Sequence, residues 1–483
     1  MSHRLAVVLL PALLVAAAGA FAQSSPTAVD LPRIGEPADT ALSPQEEQRI
    51  GARIVAELYA GDYVLEDPEV SDYATGLLWR LVASADMEPQ RLQLFVMKDP
   101  RINAFALPGG YIGLNAGTLN NSRSESELAG VLAHELAHIT QRHIARTVEG
   151  TQTATIATWA AALAAILAAS ADPQVVVAAL ALGQGINEQR QVNFTRAHEL
   201  EADRIGIRTL AAANFDPEAM ANFFVRLEQQ SRLYGNQVPE FLQTHPVNTT
   251  RISEARTRAA GYNRRRVADP TEFALIQARA RVLSMERPSE AVEYFAGQQD
   301  RNSLANRYGL ALAYSRLGEY ARAIEILAPA LAQAPNQVNL GLLDARIRFA
   351  QGRTDDALKR LYATLEHHPK YAPAILEAAD SLITAGRPDD ARQLLLSHEQ
   401  ELGTRAETYR LLALAARDDH NTVEAHYQMA TYLYQRGDGP GALSQLDSAL
   451  RMSSLSKQER ARIRARRAEL VAALPKGTQP SRR

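Results

Sequence analysis

Apolar positions along the chain fall into distinct regimes, each predicting a different element. Residues 1–22, MSHRLAVVLLPALLVAAAGAFA, combine a short basic start, an apolar run interrupted at Pro11, and small residues before Gln23. Ala20-Phe21-Ala22 fits the A-x-A cleavage rule, so the segment is expected to be a secretory signal peptide cleaved after Ala22. RINAFALPGGYIGLNAG, residues 101–117, has the pattern of strand, Pro-Gly-Gly turn and strand. SESELAGVLAHELAHITQRHIAR, residues 124–146, opens on serine and acids and keeps apolar residues at helical spacing. HELEADRIGIRTLAAA, residues 198–213, predicts a second helix, and others are expected at about 217–232 and from near Asn248. Between the two long helices, residues 156–182 are almost purely apolar, and Asp172-Pro173 cuts them into pieces of about 14 and 10 residues, short of the ~20 that span a bilayer. That predicts a helical hairpin packed against the neighbouring helices rather than a membrane span.

From about residue 270 the pattern repeats. Gly318, Gly352 and Gly386 are 34 residues apart, each followed five residues later by alanine (Ala323, Ala357, Ala391), and Pro335 and Pro369 close the first two units. Tyr314, Tyr320, Leu327 and Leu331 fill the large positions of the first unit. Alanine lets antiparallel helices approach and glycine permits the tight turn between them. This is the signature of the tetratricopeptide repeat (TPR). Gly437, Ala442, Leu446, Ala449 and Leu450 mark a further unit 51 residues after Gly386, so an irregular helix at about 404–417 intervenes. With a degenerate unit around Ala291, four to six helical hairpins are expected, closed by a basic capping helix, with a disordered tail at 475–483. Such arrays build concave surfaces that bind segments of other proteins.

The chain of 483 residues has no cysteine, which excludes disulfides, thiol chemistry and a lipidated N-terminus. A formal net charge of −2 gives no footprint for nucleic acid.

The tetrapeptide AHEL occurs twice, 64 residues apart. In the first copy His134 and His138 are four residues apart, share one helix face and can both aim a ring nitrogen at one metal ion. Glu135, rotated by about 100°, lies beside that face as a base rather than a ligand. This is HExxH, the zinc-hydrolase motif, which needs a third protein ligand from elsewhere. An extended form would require a glycine and a histidine where the chain has Gln141 and Ile144, and His143 is read as an ordinary polar residue on another face. The second copy cannot be another HExxH, because Ala202 stands where its second histidine would be. Glu199 and Asp203 are instead one turn apart, suiting either a ligand with a supporting acid or a solvent-facing acidic stripe paired with Arg204 or Arg208.

HELAH followed by ELEAD, with NAFALPGGYIGLNAGTL upstream and THPVNTTRISEAR (244–256) downstream, resembles the M48 family of zinc metallopeptidases. The resemblance implies one Zn2+ held by His134, His138 and Glu199, with Glu135 as catalytic base and Asp203 as the supporting acid, sometimes assigned as proton donor. It gives Glu201 no role and leaves His198 outside the ligand set. It places the segment Asn103, Ala104, Phe105 and Ala106 beside the zinc as the edge that aligns substrate. His245, held extended before Pro246, could stabilise the oxyanion or occupy zinc's fourth position and keep the resting enzyme latent. Arg251 would order the carboxylates or the intermediate.

The expected architecture is mainly α: a zincin-like α+β metallopeptidase domain with a small β-hairpin or sheet at 35–262, then an all-α TPR solenoid at 268–472. Together with the signal peptide and the TPRs, the resemblance implies a periplasmic endopeptidase for misassembled or misfolded outer-membrane proteins. The TPRs would recruit unfolded or stalled substrates or the β-barrel assembly machinery, and peripheral contact with the outer membrane is compatible with the apolar segment. The alternative is mainly a chaperone or assembly factor with latent protease activity.

Overall fold

The computed structural model describes residues 42–85, 91–150, 188–234, 241–242, 245–262, 268–453 and 455–473. The expected signal peptide, the apolar hairpin at 156–182 and the tail at 475–483 lie outside them. Among the described residues no helix is long and apolar enough to cross a membrane.

The first domain is built around a three-stranded sheet of order β1-β3-β2. The expected hairpin is present as β2 (Ala104–Leu107) and β3 (Tyr111–Asn115), antiparallel, with Ala104 opposite Leu114. The third strand, β1 (Gln93–Met97), runs parallel to β3. Alternation along β2 sorts its side chains between two cores. Ala104 and Ala106 face the main core with α2 (Pro68–Val82) and the HExxH helix. Phe105 and Leu107 face α1 (Pro44–Ala60), with Ile54, Val55 and Leu58. Both helices start on side-chain caps: Ser43 forms a reciprocal capping box with Glu46, and Asp67 accepts from the Val70 amide.

After a short α3 (Ala116–Asn121) come α4 (Glu125–Thr140), α5 (His143–Gly150), α6 (Glu188–Ala212), α7 (Ala219–Tyr234) and α8 (Thr249–Ala259). Helix α8 starts where expected, with Asn248 as N-cap accepting from the Arg251 amide. The two AHEL-bearing helices, α4 and α6, lie against each other. Gly206 allows this approach: a Cβ there would stand 3.3 Å from the Ala133 and His134 backbone and 2.7 Å from Met220 Cε.

The second domain is the expected solenoid. It begins with α9 (Thr271–Ser284), and helical hairpins turn at Gly318, Gly352, Gly386 and Gly437, all with positive φ between 75° and 81°. Helix Ala406–Asp418 is the irregular insertion. The array closes against the first domain. Arg279 of α9 makes a two-pronged bond to Asp67 at 2.6 and 2.7 Å and lies 3.2 Å from Glu69, which is fully buried. Glu69 also accepts from Arg346 at 2.5 Å and from Asn339 at 2.6 Å. Farther along, Arg405 pairs with Asp72 and Arg436 with Glu66. Gly437 sits so close to Ala56 of α1 that a Cβ would fall 2.5 Å from the alanine's own Cβ.

Candidate metal centre and active site

His134 and His138 project from α4, Glu199 and Asp203 from α6, and His245 from the segment leading into α8. The fold gathers them in the interior: His134, Glu135, Glu199, Asp203 and His245 are all buried. Nε2 of His134 lies 3.1 Å from Nε2 of His138 and 3.4 Å from Oε2 of Glu199, and His138 Nε2 is 3.4 Å from Glu199 Oε1. Nδ1 of His245 completes the group at 3.3 Å from His134 and 3.1 Å from Glu199. Ligand atoms in a tetrahedron around an ion with bonds of about 2.0–2.1 Å are about 3.3–3.4 Å apart. The donor set, three imidazole nitrogens and one carboxylate, therefore fits a divalent metal ion in both chemistry and spacing.

The electrostatics agree. Burial works against a charged His134 ring, but hydrogen bonding and attraction from Asp203 and Glu199 overcome it and raise its pKa to about 10. A site that calls for added positive charge at that nitrogen suits a cation. Burial would raise the Glu199 carboxyl; His245 and His134 outweigh it and hold Glu199 well below the usual carboxylate range. Burial and the neighbouring His134 push the His138 imidazole far down, toward the neutral form that a metal requires.

Among the described residues, neither buried carboxylate oxygen of Glu135 has a hydrogen-bond partner, although His245 Nε2 approaches one of them at 3.5 Å. A carboxylate left bare in the interior is costly unless a ligand or water belongs beside it. Asp203 Oδ1 lies 3.1 Å from Nδ1 of His134. Arg251 is buried and engaged on several sides: it donates to both oxygens of Asp203 at 2.7 and 2.8 Å, to the Pro246 carbonyl at 3.0 Å, and pairs with Glu199 at 2.8 Å. Its guanidinium is held between these two carboxylates and lies 4.9 Å from the centre of the Phe224 ring.

His245 is fixed by its own turn. Its amide donates to the Phe241 carbonyl at 2.7 Å, its ring packs on Phe241 at 4.9 Å between centroids, and the Phe241 amide donates to Ile102 just before β2. Of the residues expected to align substrate, Asn103 is bound through its backbone to Thr118, and its buried Oδ1 has no partner among the described residues. The Phe105 ring stands edge-on to Phe95 and over Gly113, so it supports the sheet from the face opposite Ala104 and Ala106. Asn115 donates to the Asn103 carbonyl. Because antiparallel bonding alternates, the backbone groups of Ala104 and Ala106 point away from β3, to the edge that no other described strand pairs.

His143, expected to be an ordinary polar residue, is part of the cluster. Its Nδ1 lies 2.9 Å from His138 Nδ1 and its Nε2 3.2 Å from Glu201, while its ring stacks on His198 at 4.2 Å. Burial and His198 push its pKa down to about 4, against the pull of Glu201. Linear spacing missed this because α4 ends at Thr140, and Arg142, with φ of 50°, turns the chain back before α5 begins. The Gln-Arg pair after the motif carries no recognisable turn signal.

Residues 71–259 match peptidase family M48, and residues 282–347 and 348–415 match the tetratricopeptide repeat. The beta-barrel assembly-enhancing protease of Escherichia coli (strain K12) is 33% identical over 462 residues, covering 93% of this chain and 92% of the relative. The protein of the same name from Yersinia pestis is 32% identical over 456 residues, covering 93% of each chain. The mitochondrial metalloendopeptidase OMA1 of Schizosaccharomyces pombe is 33% identical over 180 residues, 37% of this chain and 50% of the relative. Joined to a buried HExxH cluster and a repeat solenoid, this likeness across nearly the whole length shows that the chain belongs to the TPR-bearing metallopeptidases of family M48.

Proposed function

We propose that this chain is a periplasmic zinc endopeptidase that removes misassembled outer-membrane proteins. The observation that carries this reading is the set of four ligand atoms at tetrahedral spacing with the bare Glu135 carboxylate beside them. His134, His138 and Glu199 hold the ion, Asp203 fixes the His134 ring, and Arg251 fixes both carboxylates. When bound, zinc polarises water and the scissile carbonyl. Glu135 takes the proton of the attacking water and returns it to the leaving nitrogen. The free edge of β2 aligns substrate by main-chain pairing through Ala104 and Ala106. Unfolded barrel proteins, rich in unpaired strands, suit that edge, and the names of the enterobacterial relatives point to the same class. The solenoid recruits such chains or the β-barrel assembly machinery.

His245 is assigned to the fourth ligand position rather than to oxyanion stabilisation, because Nδ1 stands within 3.3 Å of two of the other ligand atoms. In that position it excludes water and keeps the resting enzyme latent. His245→Ala is expected to raise basal cleavage on the order of tenfold, the factor by which a site competent one time in ten is held back. A fall in cleavage would instead favour oxyanion stabilisation.

The proposal is tested by incubating the full mature chain with an unfolded porin or casein, with and without a chelator. Cleavage lost on chelation and restored by Zn2+ is expected. Chelator-insensitive cleavage contradicts the metal mechanism. A zinc-loaded parent chain and His245→Ala variant that both leave substrate intact favour the chaperone reading.

A further inference from the structure

His138 presents Nε2 to the metal position, so whatever its other nitrogen touches determines how the ring is held. Nδ1 of His138 lies 2.9 Å from Nδ1 of His143, Nε2 of His143 lies 3.2 Å from Oε2 of Glu201, and Arg146 donates to that same oxygen at 3.0 Å. One arrangement of protons satisfies the whole row. A ligating Nε2 carries no proton, so His138 is protonated on Nδ1 and donates to Nδ1 of His143. His143 then carries its proton on Nε2 and donates to Glu201, whose carboxylate also accepts from Arg146. The His198 ring lies flat on that of His143, with 7° between the planes, and keeps it in line.

The other histidine of the motif is served more directly, with Asp203 3.1 Å from His134 Nδ1 and Arg251 holding Asp203. Each histidine thus ends on a carboxylate from α6 anchored by an arginine, one in a single step and one through a second imidazole. The stretch AHELEAD, which opens with the second AHEL, supplies both carboxylates as well as the ligand Glu199. A satisfied core histidine would need a partner for its two nitrogens, but nothing would require that partner to be the back of a ligand ring.

We propose that His143 and Glu201 are positioning residues for the metal, a relay that fixes the tautomer and aim of His138 and thereby sets the affinity of the site. The proposal rests on reading His134, His138 and Glu199 as metal ligands.

The test strips the full mature chain of metal and titrates it with Zn2+ in competition with a chromogenic chelator. His143→Ala is expected to weaken Zn2+ binding by about 10–100-fold. His143→Gln, whose amide keeps one acceptor and one donor, is expected to return to within about threefold of the parent. Glu201 is about one-third exposed, so Glu201→Ala should fold as the parent does and weaken Zn2+ by about tenfold, which secures the test should His143→Ala fold poorly. Thermal melts of the metal-free proteins separate affinity from stability: a merely structural role would lower the melt and leave Zn2+ affinity alone. Affinity within twofold of the parent in the folded variants overturns the relay while leaving the metal site intact. A parent chain that binds no Zn2+ overturns the metal reading and the relay together.

Discussion

Glu135→Gln is expected to lower kcat/KM for an unfolded polypeptide by about 10²–10⁴-fold, the usual worth of a general acid–base group, while the chain keeps its metal. The substitution changes little in shape: glutamine fills the same buried space and leaves the packing of α4 in place. What it removes is the basicity of a carboxylate whose oxygens bond no donor among the described residues. Glu135 lies outside the ligand cluster of His134, His138, Glu199 and His245. Metal content should therefore be unchanged, and retained metal with lost turnover separates a base from a ligand. Loss of metal on this substitution would place Glu135 in the coordination sphere and contradict its role.

The second large effect is expected at the seam between the domains. Glu69 is wholly buried and faces Arg279, Arg346 and Asn339, all from the solenoid. Glu69→Ala leaves two guanidinium groups facing a cavity, although Arg279 keeps Asp67 and Arg346 keeps Glu377. Breaking a buried ionic network in this way costs about 3–5 kcal/mol, read as a lower midpoint in denaturant titrations of the protein. A cost below about 1 kcal/mol, the worth of an exposed pair, would mean that the solenoid does not close on the protease domain through this contact. The same seam should weaken in acid. Burial would raise the Asp67 carboxyl, but Arg279 outweighs it by charge and hydrogen bonding and holds Asp67 below its usual range. The stability it supplies is present above the ordinary aspartate pKa of about 3.9 and is lost as pH falls through the depressed folded value.

Much of this architecture was legible because local chemistry dictates it. Period-34 glycines mark turns with positive φ, and Asn248 caps α8 with its own side chain. His134 and His138 share a face by helical geometry alone. Strand β1 was not anticipated, because LFVM is too short an apolar run for periodicity to tell a buried strand from a helix segment. The relay was hidden for a different reason. Counting five residues from His138 to His143 assumes one continuous helix, and the left-handed Arg142 breaks it. Arg279, Arg346, Arg405 and Arg436 look in sequence like the solvated charges of a helical array. Only the closed arrangement shows that each meets an acid on the protease domain between Glu66 and Asp72. Phe105 likewise resembled a substrate-facing residue until the pleat of β2 turned it toward Phe95.

Two copies of AHEL are proposed to meet at one metal with exchanged roles: histidine as ligand and glutamate as base in the first, glutamate as ligand in the second. Metal analysis of purified Glu135→Gln and Glu199→Gln, side by side, tests it most directly. One zinc per chain in Glu135→Gln, and loss of zinc from a folded Glu199→Gln, is the predicted result. Full zinc in Glu199→Gln would contradict the account.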